Sequence, residues 1–438
     1  MSPSHLQRSL SLYDEKTTRR EVISWCLYDF ANSSYTTIIV TVAYSIYFTG
    51  VVADGMNGER LWGWGYSGSM LLVALLSPVL GAMADYGGLK KGFLVGFTIL
   101  CISTTMALFF VRRGDVVMGM LLFALSNIGF NGGMHFYNSF LIDITTRSNI
   151  GRISGYGWAL GYLGGLVSLL LVYPFIRDGF GDGNLYYYRL SFPLTGVFFL
   201  VASIPSFLFL KERSYSHRTH HLNYIRGGFR RLRDTFREIG RFTELVRYLF
   251  SYLIYTDGIN TVIVFSAIFA NRVLGFDAGE VVVYFIITQV SAGLGAWLLA
   301  PLTDKLGAKK LISVTLVVWI LVVIGAYMVE TKEGFYGIGI LAGSVLGANQ
   351  SASRALLGLL TPHGRNAEFF GFFAMTGKFA AVLGPLLYGE ISTLTGDQRY
   401  AVLSLAMFFV VGFILLQMVD EERGMAVARR FEQEEKDW

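Results

Sequence analysis

Charge is scarce in this chain. Of 438 residues only 15% are charged, while 53% are hydrophobic and the mean hydropathy is +0.50. A water-facing surface uses roughly 25% charge, so the composition argues against a soluble enzyme, a disordered chain and a nucleic-acid module. Cysteine is scarce too: Cys26 and Cys101 both lie in apolar runs, which argues against a disulfide framework. Proline numbers only 8. No zinc-ligand spacing, P-loop or nucleophile elbow is present, so neither metal, cofactor nor catalytic residues are expected. The first 21 residues are polar and lack the apolar core and cleavage site of a signal peptide, so the first apolar run is expected to stay in the mature protein.

What the chain does have is apolar length and glycine. Gly numbers 50, the composition of closely packed membrane helices. A crossing needs about 20 mostly apolar residues. Twelve runs qualify, near 22–49, 61–84, 92–111, 116–142, 153–176, 190–210, 246–272, 280–302, 310–329, 335–361, 367–391 and 399–419. With the N-terminus placed in the cytoplasm, 26 Lys/Arg fall on that side and 8 on the other, which puts both termini in the cytoplasm. Ten of the 26 sit between Lys211 and Arg247, a segment of net charge +6. There Phe229, Leu232, Phe236, Ile239 and Phe242 recur at helical spacing, as in an amphipathic helix lying on an anionic leaflet.

The second half echoes the first. "GAMADYGGLKK" (81–91) returns as "APLTDKLGAKK" (300–310), "YDFANSSYTTII" (28–39) resembles "YTDGINTVIVF" (255–265), and "GYGWALGYLGG" (155–165) resembles "GFFAMTGKFAA" (371–381). Three ordered matches near half the chain length predict two six-helix halves, the parallel-repeat layout of large secondary transporters. The expected organisation is an N-terminal tail 1–21, a bundle 22–210, a basic linker 211–245, a second bundle 246–419 and a C-terminal tail 420–438. In the repeated loop motif, Gly81 permits close helix approach, Asp85 and Asp304 sit at helix ends, and Lys90, Lys91, Lys309 and Lys310 follow tight turns. Those lysines can pair with an acid or a helix C-terminus of a neighbouring bundle, forming a gate contact. Ala300, standing where Gly81 stands in the first copy, predicts a looser approach in the second.

Ionisable residues inside spans are costly, about 2.5–3.5 kcal/mol each on insertion scales, and mark function. Asp29, Asp257, Arg354 and Lys378 lie inside spans; Asp143 and Glu390 read as interfacial. Asp257 and Arg354 read either as a structural ion pair or as a pair that changes partners with proton or substrate. Asp29 is a third coupling or gating candidate. Lys378, on a Gly-rich helix, is a candidate for an anionic substrate group or a partner of Asp29 or Asp257. Asn32, Asn138, Asn260, Gln289 and Gln350 are substrate-contact candidates among a wider set of span amides, and His135 reads as a satisfied interior histidine.

The loop motif, its second copy and the 6+6 layout resemble the major facilitator superfamily. Within it, "WCLYDFANSSYTT" (25–37), "YTDGINTVI" (255–263), "GANQSASRALLGLLTP" (347–362) and "EFFGFFAMTGKFAAVLGPLLYG" (368–389) resemble the "unknown major facilitator" family, related to the fungal vacuolar amino-acid effluxer of autophagy. The resemblance implies alternating access, with Asp29, Asn32, Asn138, Asp257, Asn260, Gln350 and Arg354 near the path.

The combined expectation is an all-helical, twelve-span membrane protein of two six-helix bundles with the major facilitator fold. It would be a monomeric, proton-coupled secondary transporter of a small organic solute such as an amino acid, in the plasma (inner) membrane, with anionic lipids as partners of the linker and no nucleic-acid partner. The alternatives are a lipid or lysolipid translocator and a non-transporting receptor or scaffold.

Overall fold

A computed structural model describes residues 17–437 apart from 55–57, 181–182, 214–229, 231–232, 234–236, 238 and 381–382. The described residues form helices joined by short turns and loops. They form α1 (Arg19–Ser34), α2 (Gly58–Gly87), α3 (Lys90–Ala107), α4 (Val116–Ile144), α5 (Ile150–Ile176) and α6 (Leu185–Phe209). The second half gives α7 (Thr243–Leu274), α8 (Ala278–Leu306), α9 (Ala308–Met328) and α10 (Lys332–Leu360). It continues with α11 (Asn366–Phe379), α12 (Leu383–Thr395), α13 (Gln398–Ser404), α14 (Ala406–Gln417) and α15 (Glu421–Asp437). Beyond Ser34 the first span continues mainly as π-helical turns, Tyr35–Val42 and Phe48–Val52.

Eleven helical stretches among the described residues are long and apolar enough to cross a membrane. α10 is 29 residues long but is not among them. Asn349, Gln350, Ser351, Ser353 and Arg354 interrupt its apolar sequence, and all but Gln350 are buried in protein. Two expected spans are each built from two helices: α11 with α12, and α13 with α14. The outer surface is apolar in the way a lipid-facing surface is: Leu75, Leu121, Leu170, Leu208, Leu321 and Leu386 are 56–66% exposed.

The chain divides into two compact units. The first comprises Met1–Ile144, Leu160–Leu232 and Asn366–Gly371; the second comprises Thr145–Ala159, Arg233–Arg365 and Phe372–Trp438. α5 therefore begins in the second unit and continues in the first, while α11 does the reverse. The first unit's core is aromatic, and several of its polar ring groups find protein partners because lipid offers none. Tyr28 Oη lies 2.6 Å from Thr98 Oγ1, Tyr44 donates to the Gly119 carbonyl, and Trp25 Nε1 donates to the Tyr137 carbonyl. Gly164 lets α5 pass against Phe30 of α1, where a Cβ would overlap backbone, so "GYGWALGYLGG" is helix packing. In the second unit Trp319 stacks on Phe409 and Tyr284 on Phe335.

Most of the basic linker, including Phe229, Leu232 and Phe236, lies outside the described residues; Ile239–Phe242 is one 3₁₀ turn. The last residues form α15, whose Phe431 packs on Phe242 at 5.4 Å and whose Ala428 is fully buried.

Candidate functional site

α2 ends at Gly87, and Gly88 turns the chain with φ 62° into α3. Asp85, in the last turn of α2, is 1% exposed and accepts a hydrogen bond from Glu368 N at 2.9 Å. Glu368 lies in the first turn of α11, where backbone N–H groups have no intrahelical partner and the helix dipole favours an anion. The approach needs glycine: a Cβ at Gly81 would overlap the Ala367 carbonyl, and one at Gly371 would lie 2.7 Å from Ser77 O.

The same device recurs in the second unit. Asp304, in the last turn of α8, accepts from Gly151 N at 2.8 Å and Arg152 N at 3.0 Å, the start of α5. A Cβ at Gly155 would overlap Ala300 Cβ. This corrects the looser approach expected from Ala300: glycine has moved to the partner helix, so the approach stays close.

The lysines act differently from expectation. Lys90, fully buried, pairs with Asp143 of α4 at 2.5 Å, and Asn366 Nδ2 donates to the other Asp143 oxygen at 2.8 Å. Lys91 donates to the Leu210 carbonyl at the end of α6, 2.7 Å away. Lys309 likewise donates to the Gln417 carbonyl at 3.1 Å, and Lys310 is exposed. Lys90, Lys91 and Lys309 thus find their partners inside their own unit; the motif aspartates hold the incoming helix starts. Asp143 is a buried partner, not an interfacial acid.

Sequence reasoning missed a second set of acids. Glu212, just past α6, caps the first turn of α3 through Lys90 N (2.6 Å) and Lys91 N (3.3 Å). Glu421 caps α9 in the same way through Ala308 N (3.2 Å) and Lys309 N (3.1 Å). Burial raises the Glu212 carboxyl above its ordinary value, against the opposing pull of Lys90 and the two amides. Glu21, at the start of α1, pairs with Arg213 at 2.9 Å; Glu244, at the start of α7, accepts from Asp420 N at 2.8 Å. The available signal was an acid flanking the first and last spans of both halves.

The span charges are placed as follows. Asp257 of α7 is 2% exposed and accepts from Leu383 N and Gly384 N, each at 3.0 Å. It therefore caps α12, just after the helical path of the eleventh span breaks at Ala380 (φ −76°, ψ 55°). Asn260 donates to the Ala380 carbonyl at 2.5 Å, so one face of α7 holds both sides of the break. Arg354 of α10 donates to Ser154 O at 2.6 Å and Ser154 Oγ at 3.0 Å, and its guanidinium lies 5.3 Å from the Trp158 ring centroid. Asp257 and Arg354 therefore do not form the ion pair considered from the sequence: one is bound to α12 and the other to α5. Neither does Asp257 pair with Lys378, which is half-buried in the last turn of α11 with no hydrogen bond or ion pair among the described residues. Five residues before Lys378, Phe373 stacks on Tyr252 of α7 at 4.2 Å.

In the first unit Asp29 is 3% exposed and accepts from Asn32 Nδ2 at 3.3 Å, bringing those two candidates together. Asn138 and Gln350 are half-buried, as is Gln289, which has no hydrogen-bond partner among the described residues. His135 is 3% exposed, edge-on to Phe136 at 4.5 Å. Asn131 bonds Asn127, which donates to Ser69 Oγ at 2.7 Å, an internal polar string. No group of three or more metal-ligating side chains occurs among the described residues.

The pattern of the family described as "Vacuole effluxer Atg22 like" matches residues 65–149 and 143–429. The chain belongs to this family. It is 30% identical over 415 residues to the MFS-type transporter YxiO of Bacillus subtilis, covering 93% of this chain and 96% of that one. It is 28% identical to autophagy-related protein 22 of Yarrowia lipolytica over 71% of this chain and 57% of that protein. Among solved structures, the human organic anion transporter MFSD10 superposes with TM-score 0.69 at 14% identity, covering 91% and 99% of the two chains. The proton:xylose symporter XylE gives 0.71 at 13% identity, covering 94% and 98%. This Atg22-like protein is a membrane transporter of the major facilitator superfamily, not an enzyme.

Proposed function

We propose that this transporter moves a small organic solute, an amino acid or a molecule like it, by proton-coupled alternating access. The reading takes α10 as the twelfth crossing, which completes two six-helix bundles, and takes both termini, the linker and the Asp85 and Asp304 caps as cytoplasmic, in the plasma membrane. The protein is proposed to work as a monomer. The observation that carries the reading is the repeated cap: a carboxylate from each half of the sequence binds the first turn of a helix from the other half. Such contacts are strong when made and lose only hydrogen bonds when broken, as a gate requires. Asp85 and Asp304 are the gate acids; Lys90, Lys91, Lys309 and Lys310 support the helix ends around them.

Asp257 is the proposed proton acceptor. Its charge is held by two amides at the start of α12, so protonation weakens that cap and frees the broken span to shift. Asp29 is the matching carboxylate in the first unit. Arg354 couples by tying α10 to the start of α5. Lys378 is proposed to meet the substrate's anionic group, with Asn32, Asn138, Asn260, Gln289 and Gln350 as polar contacts. Solute screening in liposomes under an imposed pH gradient tests this. The expected result is gradient-driven uptake that Asp257→Asn abolishes while counterflow persists; unchanged gradient-driven uptake in that variant overturns the coupling role.

A further inference from the structure

A cleft of ≈ 510 Å³ lies in the first unit where α1 and α3 start and α6 ends. Thr18, Arg20, Lys91, Leu208, Phe209, Leu210, Lys211 and Glu212 line it, three cations against one carboxylate. That carboxylate is engaged, because both Glu212 oxygens accept from the amides of Lys90 and Lys91. Lys91 Nζ uses one donor on the Leu210 carbonyl, and an ammonium carries three. Arg20 is exposed and has no acid partner among the described residues. Lys91 and Arg20 therefore both have donors to spare beside the engaged carboxylate.

One wall says what kind of anion fits. Val197, Val201, Ile204 and Leu208 recur at spacings of four, three and four along α6 and are 43%, 60%, 43% and 66% exposed. They form an apolar lane that runs into the cleft, where Phe209 is 42% exposed. A soluble phosphate has no use for such a lane; an acyl chain does.

We propose that this cleft binds the phosphate headgroup of an anionic phospholipid, with an acyl chain lying along α6. Arg20 and Lys91 hold the phosphate. The site goes beyond the transport reading and shares with it only the membrane orientation. Occupancy would brace the end of α6 against the start of α3, next to the Glu212 cap.

The test uses the full chain in vesicles of phosphatidylcholine with or without phosphatidylglycerol, with retained lipid counted by native mass spectrometry after solubilisation. The wild type is expected to retain phosphatidylglycerol over phosphatidylcholine. Arg20→Gln with Lys91→Gln is expected to lower that preference roughly tenfold or more, since each base near an anionic surface contributes on the order of 1 kcal/mol. Arg20→Lys with Lys91→Arg is expected to keep it. A Gln variant that stays monodisperse and retains phosphatidylglycerol like the wild type overturns the proposal. So does displacement of the lipid by an equal concentration of glycerol phosphate, which marks a free-anion site. Solute flux of the wild type is measured in parallel: no flux of any screened solute beside a wild-type preference for phosphatidylglycerol counts against the transport reading and leaves the site standing.

Discussion

The two caps share a geometry and differ in chemistry. Asp85 is buried in a charge-dense corner with Lys90, Asp143, Glu212 and Glu368 nearby. Asp304 is half-buried and binds two amides beside Gly151, Gly155, Ser154 and Thr303. Judged by their caps, Ala308 stands where Lys90 stands: Glu212 holds Lys90 N and Glu421 holds Ala308 N, and both side chains are fully buried. A buried ammonium with its acid partner in one half is a methyl group in the other. Helix starts can thus be held by the same backbone contact with or without a buried ion pair beneath it. The two corners should respond differently to charge removal, crowding and pH.

The largest difference should come from Lys90. Lys90→Met leaves Asp143 buried without its cation, an error that costs about 3–5 kcal/mol. Unfolding in detergent should show it as a clear drop in the transition midpoint, and adding Asp143→Leu should recover most of the loss. Lys309→Met in the other corner should cost less than about 1 kcal/mol, because that side chain is partly exposed and bonds only a carbonyl. Equal losses would mean that the corners are not distinct in this way.

Crowding comes next. At Gly81 an added Cβ meets the backbone of Ala367 and Glu368, which cannot turn aside. At Gly151 it meets the side chains of Thr303 and Asp304. Gly81→Ala should therefore cost about 1–3 kcal/mol, the usual overpacking range, and Gly151→Ala less. Pairing Gly151→Ala with Thr303→Gly should restore stability and flux, while no side-chain change should rescue Gly81→Ala. Rescue of Gly81→Ala by trimming a side chain would show that the first contact is softer than its geometry.

How much of this was legible in advance follows the range of each interaction. Long apolar runs announce themselves because lipid demands about 20 residues in a row, and the repeated motif points to Asp85 and Asp304 because both copies sit at a span end. The Glu212 cap joins residues more than 120 positions apart and has no local pattern. Arg354 was read with Asp257 because both are charges in one half. One partner it does have, Ser154, lies in the first half of the sequence, in the stretch of α5 that belongs to the second unit. α10 shows the opposite lesson: its polar residues weaken the span signal, and the packing satisfies them, as with Asn349 on Thr315 at 2.9 Å. The C-terminal residues read as a tail because their apolar positions are few, yet Ala428 and Phe431 are enough to seat α15.

Removing the cap charges should have a smaller effect, and an unequal one. Asp304 uses both oxygens on two amides, and an asparagine offers one acceptor oxygen. Asp304→Asn should lose about 1 kcal/mol, the scale of a helix N-cap. Asp85 has its amide bond to Glu368 N and stands near Lys90 as well as other acids, so Asp85→Asn keeps an acceptor and offsets a lost attraction with lost repulsions. It should be closer to neutral. Thermal unfolding of the two variants side by side decides the order, and a larger loss in Asp85→Asn would reverse the contrast.

The finest test is pH. Burial lifts the Glu212 carboxyl above its ordinary value of 4.5 and Lys90 pulls it back. The folded protein then holds this proton more tightly than the unfolded chain does. The resulting stability is fully present below the unfolded value and is lost as pH rises through the folded value. Glu212→Gln should remove that small decline just above the ordinary carboxylate range. Lys90→Met should extend it to higher pH, because the charge that opposes burial is gone. Unfolding free energies measured from about pH 4 to 7 check both. A decline that is the same in the wild type and in Glu212→Gln would place it on another group and remove pH from the differences between the two corners.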